Sequence, residues 1–234
     1  TKAVSAYGDP ASDKGRVTRY TINAIQADVY LWMDRYADCI SACDKIINSQ
    51  KFGLIRGATL NGPFVEYNDN WFNTLYYTGN SNEGIFELQF DAQRLNPYYP
   101  MFSSSIPSRR WIMASDIIDR VFTLDLTNNL NYDIRADGAS VRAATTTIWK
   151  YVGANSTSLR AIDQSYAHWF FYRYADILML KAEALNETGQ GQAALDLVYT
   201  IRRRANALAA TDLAPAPTDK NLIQEFILQE RSRE

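Results

Sequence analysis

The feature that most constrains the fold is a helical hairpin that occurs twice. Apolar side chains recur at helical spacing in residues 16–50 and again in residues 167–206. Asp34 and Arg35 mark a tight connection in the first segment, and Gly189 and Gly191 mark one in the second, where glycine can adopt the positive φ required beyond a helix end. Each segment therefore predicts two antiparallel helices.

The two hairpins also share a register. When the two segments are aligned, the equivalent positions are Ala27 and Ala182, Tyr30 and Leu185, Cys39 and Ala194, Ile40 and Leu195, Cys43 and Val198, and Ile46 and Ile201. Small residues let helix backbones approach closely while larger ones fill the groove, which is the packing of a tetratricopeptide hairpin. Simple bundles also contain alanine-rich hairpins. We predict a mainly α fold, an α-α superhelix of tetratricopeptide-like hairpins with a long irregular insertion containing short strands.

The insertion is predicted for residues 51–166, where helical periodicity is lost and most of the tryptophans lie. Residues 85–90 and 145–152 are rich in β-branched and aromatic residues and favour short strands. Residues 112–122 favour an isolated helix. A connection this long usually carries function or builds its own subdomain.

A further helix is predicted for residues 218–234. Thr218 and Asp219 can cap it. Its predicted buried stripe consists of Leu222, Ile223, Phe226 and Ile227. The chain stops at ERSRE without a capping glycine, so we expect a truncated helix, and residues 1–234 to be part of a single domain.

Composition excludes several classes of partner and site. The 24 Lys and Arg residues against 26 Asp and Glu give a formal net charge of −2, which provides no general attraction to nucleic acid. The sequence contains no run of about 18 apolar residues, so no membrane-spanning helix is predicted. Cys39 and Cys43 lie one helical turn apart, which is poor disulfide geometry and favours two small core residues.

The insertion contains the residue types that a glycan surface needs. A sugar ring has an apolar face that packs on aromatic rings and an equator of hydroxyls that bonds to amides, carboxylates and arginine. The candidate ligand-binding residues are Trp71, Asn73, Tyr76, Tyr77, Tyr98 and Tyr99. The alternative for each ring is the core of the insertion, and we expect Trp32 and Trp149 to be core.

No catalytic or metal-binding constellation stands out, and no cofactor is predicted. His168 is the only histidine, which excludes a two-histidine metal site, and its place at the start of a predicted helix favours a structural or capping role. The close acidic pairs Glu66 with Asp69 and Asp116 with Asp119 are typical of solvated surface. We also expect an ion pair between Arg203 and Glu230 on neighbouring helices.

Several motifs resemble those of one known family. In order along the chain they are GRVTRYTINAIQADVYLWMDRY followed by KFGL, NEGIFELQF, YDIR with a later WKY, YRYADILMLKAEALNETG followed by IRRRANA, and LIQEFILQERSRE. Their order and separation resemble the C-terminal part of the SusD/RagB family, the nutrient-binding outer-membrane lipoproteins of Bacteroidetes. The resemblance implies tetratricopeptide-type units carrying a large insertion.

The resemblance also implies a surface-exposed lipoprotein of the cell outer membrane that acts as a lid over a TonB-dependent, SusC-like transporter. We expect the lipid-anchored cysteine, the family's earlier helices and much of its ligand site to lie outside this chain. The predicted function is capture of an oligosaccharide or other nutrient and its transfer to the transporter, without catalysis. A tetratricopeptide-type adaptor with no sugar ligand is the alternative, and a glycoside hydrolase fragment is disfavoured by the missing acid/base pair.

Overall fold

The described part of the chain contains seven α-helices and six short strands, besides the π-helix Asn73–Thr78 and short 3₁₀ turns. The computed structural model describes residues 14–55, 59–61, 64–66, 69–114, 121–122, 133–207 and 214–234, with the side chains of 59–61, 64–66 and 69–70 outside the description. The helices are α1 (Arg19–Trp32), α2 (Tyr36–Ile47), α3 (Asp69–Phe72), α4 (Tyr99–Phe102), α5 (Tyr174–Glu187), α6 (Gly191–Arg204) and α7 (Lys220–Arg233). The strands are β1 (Thr59–Asn61), β2 (Phe64–Glu66), β3 (Gly84–Leu88), β4 (Val141–Arg142), β5 (Thr147–Ile148) and β6 (Trp169–Arg173).

Local sequence explains where the hairpins begin and turn. Thr18 caps α1 reciprocally, since the Thr21 amide donates to the Thr18 hydroxyl at 3.3 Å and the Thr18 amide donates to the Thr21 hydroxyl at 3.2 Å. Asp34 adopts a φ of 56° between α1 and α2, and Gly189 adopts 78° between α5 and α6. Both predicted connections are therefore confirmed.

The predicted register is confirmed by burial at equivalent positions. Ala27 and Ala182 are fully buried, as are Cys39 and Ala194. The core of the first hairpin continues into α5, whose Ile177, Leu180 and Ala184 pack with it. The hairpins α1–α2 and α5–α6, together with α7, therefore stack as one array, which we call the helical frame, and the predicted mainly α superhelix is confirmed.

The buried face of α1 differs from the expectation, because Trp32 is 86% exposed instead of buried. The face of α1 that packs against α2 and α5 is formed by Tyr20, Ala24 and Ala27. Ile25 and Val29 lie with Trp32 among the exposed apolar residues. Close helix packing selects the small residues, so the bulkier ones are left on the outer side.

Helix α7 closes the other end of the frame. The Asp219 carboxylate accepts a hydrogen bond from the Leu222 amide at 3.1 Å, which confirms the predicted cap. Ile223, Phe226 and Ile227 pack against α5 and α6. Leu222, predicted to be buried, is half exposed because it lies in the first turn, outside the packed stripe. Within the described residues, no helix is both long and apolar enough to cross a membrane.

The insertion is built from short elements around its own core. Strand β3 pairs with β6 in an antiparallel two-stranded sheet, which confirms the strand predicted near residues 85–90. The strand predicted for residues 145–152 is only the two residues of β5, paired with β4. Residues 112–114 are not helical, residues 121–122 are, and residues 115–120 lie outside the described part. Trp149 is buried in the insertion core, as predicted.

A buried ionic cluster joins the insertion to the frame. Its members are Glu83, Asp133, Arg135, Arg173, Arg202, Arg204, Glu230, Arg233 and Glu234. Glu230 on α7 accepts from Arg135 of the insertion at 2.7 Å and from Arg202 of α6 at 3.0 Å. The predicted partner Arg203 is wrong by one residue, because Arg203 is exposed and donates instead to the Tyr199 carbonyl.

Candidate functional site

Three of the six candidate glycan residues belong to the core of the insertion. Trp71 and Tyr76 are each 3% exposed, and Tyr99 is 1% exposed. The Tyr76 ring meets the edges of Trp71 and Phe170 with centroids 5.7 and 5.8 Å apart. Burial raises the pKa of the Tyr76 phenol. These rings have no free face on which a sugar could stack. For these three residues the alternative given above, the core of the insertion, is therefore the one that the structure shows.

The other three candidates keep accessible surface. Asn73 and Tyr77 are half-buried, and Tyr98 is 40% exposed. Tyr98 packs on Trp169 with ring centroids 5.2 Å apart, next to the Phe170 that contacts Tyr76. Strand β6 therefore contacts one residue of each group, Tyr98 through Trp169 and Tyr76 through Phe170.

Arg160 holds the segment that carries Tyr77. Its guanidinium donates to the carbonyls of Tyr76 at 2.8 Å and Tyr77 at 2.7 Å, and lies 4.2 Å from the centre of the Tyr77 ring. The Tyr99 hydroxyl in turn donates to the Arg160 carbonyl at 2.6 Å. Burial lowers the pKa of Arg160 to about 10, so the side chain stays charged near neutral pH. This arginine fixes Tyr77 without contacting solvent itself.

Trp111 is a candidate that the sequence reasoning missed. It is 77% exposed and lies in the loop that follows Pro107–Arg109. Its amide donates to the Met101 carbonyl at 3.1 Å, and the Met101 amide donates to the Tyr98 carbonyl at 2.9 Å. The loop therefore places Trp111 beside the helical turn that follows Tyr98. The only signal in the sequence is SIPSRRW, a proline- and serine-containing loop that ends in tryptophan.

We call Tyr98 and Trp111 the ring patch. Arg110 fixes its loop, because the guanidinium donates to the carbonyls of Thr145 at 2.7 Å and Thr146 at 2.5 Å. Arg109, which directly precedes Arg110 in the chain, is exposed. Such a surface can pack apolar C–H faces on its rings, at about 1 kcal/mol per ring, and can donate hydrogen bonds from a guanidinium.

His168 has a structural environment. Its Nδ1 lies 2.9 Å from Glu87 Oε2, and both side chains are buried. A β-carbon on Gly79 would lie 2.4 Å from the same nitrogen, so the imidazole is closely packed. His168 precedes β6, so its predicted place at a helix start is wrong, because the strand comes between it and α5.

Other chemistry finds little support in the described part of the chain. There, no group of three or more His, Cys, Asp and Glu side chains is arranged to hold a metal ion. Cys39 and Cys43 are buried thiols, and a hydrogen bond from one to the other raises the pKa of Cys43. The side chains of the acidic pairs Glu66 with Asp69 and Asp116 with Asp119 lie outside the described residues.

Comparison with known proteins gives one consistent result. The model of the SusD family matches residues 68–234. A SusD-like protein of Formosa agariphila is 26% identical over an alignment 260 residues long, and the alignment covers 93% of this chain and 49% of that protein. This chain thus spans about half the length of that relative.

Solved structures are similar in fold. A SusD superfamily protein of Bacteroides thetaiotaomicron superposes with a TM-score of 0.68 at 17% identity, covering 99% of this chain and 50% of that one. A SusD-like carbohydrate binding protein of Bacteroides vulgatus gives a TM-score of 0.61 at 12% identity, covering 94% of this chain and 43% of that one.

Proposed function

The chain belongs to the SusD family, and from that premise we propose that it forms part of a cell-surface protein that captures oligosaccharide. In this proposal the chain supplies one side of a glycan-binding surface and performs no catalysis. Support comes from the family, from a similar structure described as carbohydrate binding, and from the aromatic side chains of the insertion.

The exposure of Trp111 is the observation that carries the proposal. Leaving a tryptophan ring 77% exposed sacrifices much of the free energy that its burial would contribute. A ring held in this way by a fixed loop is available to an apolar ligand face. Tyr98, one backbone hydrogen bond from Met101, adds a second ring to the same neighbourhood.

The six residues predicted from the sequence take two roles in this proposal. Asn73, Tyr77 and Tyr98 remain candidate ligand contacts because they retain accessible surface. Trp71, Tyr76 and Tyr99 act below that surface and hold its backbone in place. The helical frame is the scaffold on which the insertion is mounted.

Localisation and partners follow the family as proposals. The protein would be held at the outer membrane by a lipid on an N-terminal cysteine outside this chain. It would pass an oligosaccharide or other nutrient to a TonB-dependent transporter of the SusC type. Nucleic acid is not a partner in this proposal.

An array of neutral and acidic oligosaccharides tests the proposal directly. We expect the protein to bind at least one class of saccharide and the Trp111→Ala variant to give a weaker signal. Trp32→Ala removes an equally exposed tryptophan from the frame and should leave the signal unchanged. Failure to bind any saccharide would contradict the proposal.

The exposed side of α1 favours a second candidate function, a tetratricopeptide-type adaptor. Ile25, Val29 and Trp32 of this helix are exposed, as is Met33 directly after it, and clusters of exposed apolar side chains are unusual on a protein surface. An adaptor would bind an amphipathic helix there. Binding of a peptide library that Trp32→Ala abolishes and Trp111→Ala preserves would favour the adaptor.

A further inference from the structure

A pocket of about 500 Å³ lies on the helical frame, away from the ring patch. Because α1 and α2 are antiparallel, the first turns of α1 lie beside the end of α2. The residues that line the pocket are Arg19, Tyr20, Asn23, Lys45, Asn48 and Ser49. Its volume is in the usual range of small-molecule sites. We call it the basic pocket.

Among the described residues that line the basic pocket, two are cations and none carries a carboxylate. Within the described residues neither Arg19 nor Lys45 forms an ion pair. Asp44, the acidic neighbour of Lys45 in the chain, is 2.5 Å from Lys181 of α5 and is therefore already paired. The described lining of the pocket thus carries a net positive charge in a chain whose net charge is −2.

A third cation reinforces this potential. The Lys51 ammonium lies 6.0 Å from the centre of the Tyr20 ring, and the Arg19 guanidinium lies 5.5 Å from it. Like charges around one ring repel each other unless an anion joins them. Helix α1 adds to the effect, because its first turn contains no acidic residue although a helix N-terminus favours negative charge.

Uncharged donors complete the lining. Among the described residues, the side-chain amides of Asn23 and Asn48 have no hydrogen-bond partner. Two amide groups and two cations can together donate to the several oxygens of one oxyanion. To a cationic ligand the described lining offers only the neutral oxygens of amides and hydroxyls, beside two like charges.

We propose that the basic pocket binds the carboxylate or sulfate group of an acidic saccharide. In taking the ligand to be a saccharide, this inference rests on the proposed function. Carboxylate and sulfate share the chemistry that matters here, since both present charged oxygens to the guanidinium of Arg19 and the ammonium of Lys45. The pocket would therefore select for acidic saccharides and leave neutral ones to the ring patch.

Calorimetric titration with three tetrasaccharides tests the inference: tetragalacturonate, sulfated cellotetraose and unmodified cellotetraose. The double variant Arg19→Gln/Lys45→Gln should bind the acidic ligands about tenfold more weakly, since it removes charge-assisted hydrogen bonds. Its affinity for cellotetraose should not change. Raising the NaCl concentration should weaken only the acidic ligands.

A matched control removes the same charge elsewhere. Arg203→Gln/Lys220→Gln changes two cations of α6 and α7 that do not line the pocket, and should bind like the unmodified protein. Thermal melts of both double variants show whether each remains folded. A loss specific to the pocket variant in either acidic arm supports the inference, and the arm identifies the oxyanion.

The outcomes separate this inference from the proposed function. If acidic tetrasaccharides bind the pocket variant normally but are lost with Trp111→Ala, the basic pocket is overturned and the proposed function stands. If inorganic sulfate binds while no saccharide does on the array or in calorimetry, both the saccharide ligand and the proposed function are overturned.

Discussion

Replacing Glu230 with glutamine tests the buried ionic cluster that joins the insertion to the frame. The Glu230 carboxylate is fully buried and accepts three hydrogen bonds, from Arg135 at 2.7 Å and from Arg202 and Arg233 at 3.0 Å each. Glutamine keeps the volume but removes the charge. It also replaces one carboxylate oxygen with an NH2 group, which cannot accept from a guanidinium, so at least one of the three bonds is lost and the others weaken. The expected cost is about 1 kcal/mol per bond, or about 3 kcal/mol in all.

Urea denaturation and a thermal melt measure this loss. We expect the free energy of unfolding to fall by about 3 kcal/mol and the melting temperature to fall by roughly 6–12 °C. Glu225→Gln is the control, because Glu225 is exposed on the same helix and, among the described residues, its side chain accepts only from Gln229, at 3.3 Å. That control should stay within about 0.5 kcal/mol of the unmodified protein. Equal stability of the two variants would refute the structural role of the cluster.

Three further predictions concern single residues. Burial, with the nearby charge of Arg173, lowers the pKa of Lys150 to about 7, whereas a lysine in the unfolded chain has a pKa near 10.4. Keeping Lys150 charged therefore destabilises the folded protein fully below pH 7, and this destabilisation fades as the pH rises. Unfolding free energies should therefore show the protein gaining about 1 kcal/mol per pH unit relative to Lys150→Met between pH 7 and 10, and a constant difference would contradict this. Gly189→Ala should lower the free energy of unfolding, measured by urea denaturation, by about 1 kcal/mol, because Gly189 has a φ of 78° although an added β-carbon would have no neighbour within 4 Å. Gly53→Ala, where an added β-carbon also has no neighbour within 4 Å, should leave the free energy unchanged. Equal effects of the two substitutions would count against backbone strain at Gly189. Arg160→Met strips donors from the Tyr76 and Tyr77 carbonyls and should lower the unfolding free energy by about 2–4 kcal/mol, and an unchanged value would show that Arg160 does not fix this segment.

The helical frame could be predicted because its signals are local. Spacing of apolar residues, the turn at Asp34 and the glycine at position 189 each act within a few residues of chain. The face that α1 buries could not be predicted in the same way. Both of its faces are apolar, and the closeness of the packed helices, a tertiary property, places Ala24 and Ala27 inside and Trp32 outside.

The candidate site was harder to predict because exposure of a ring is set by distant contacts. Tyr76 and Tyr98 have similar sequence surroundings, yet one is enclosed by Trp71 and Phe170 and the other is partly open. Trp111 is exposed because its loop is fixed by backbone bonds to Met101, which no sequence pattern shows. The ionic cluster likewise joins residues such as Arg135 and Glu230 that are far apart in the chain.

We propose above that the helical frame displays an insertion whose exposed rings contact a saccharide. Calorimetry with the best neutral oligosaccharide from the array tests it by comparing Trp111→Ala with Trp32→Ala. We expect the affinity to fall roughly five- to tenfold in the first variant and to stay unchanged in the second. Equal affinities for both variants, or a loss confined to Trp32→Ala, would contradict it.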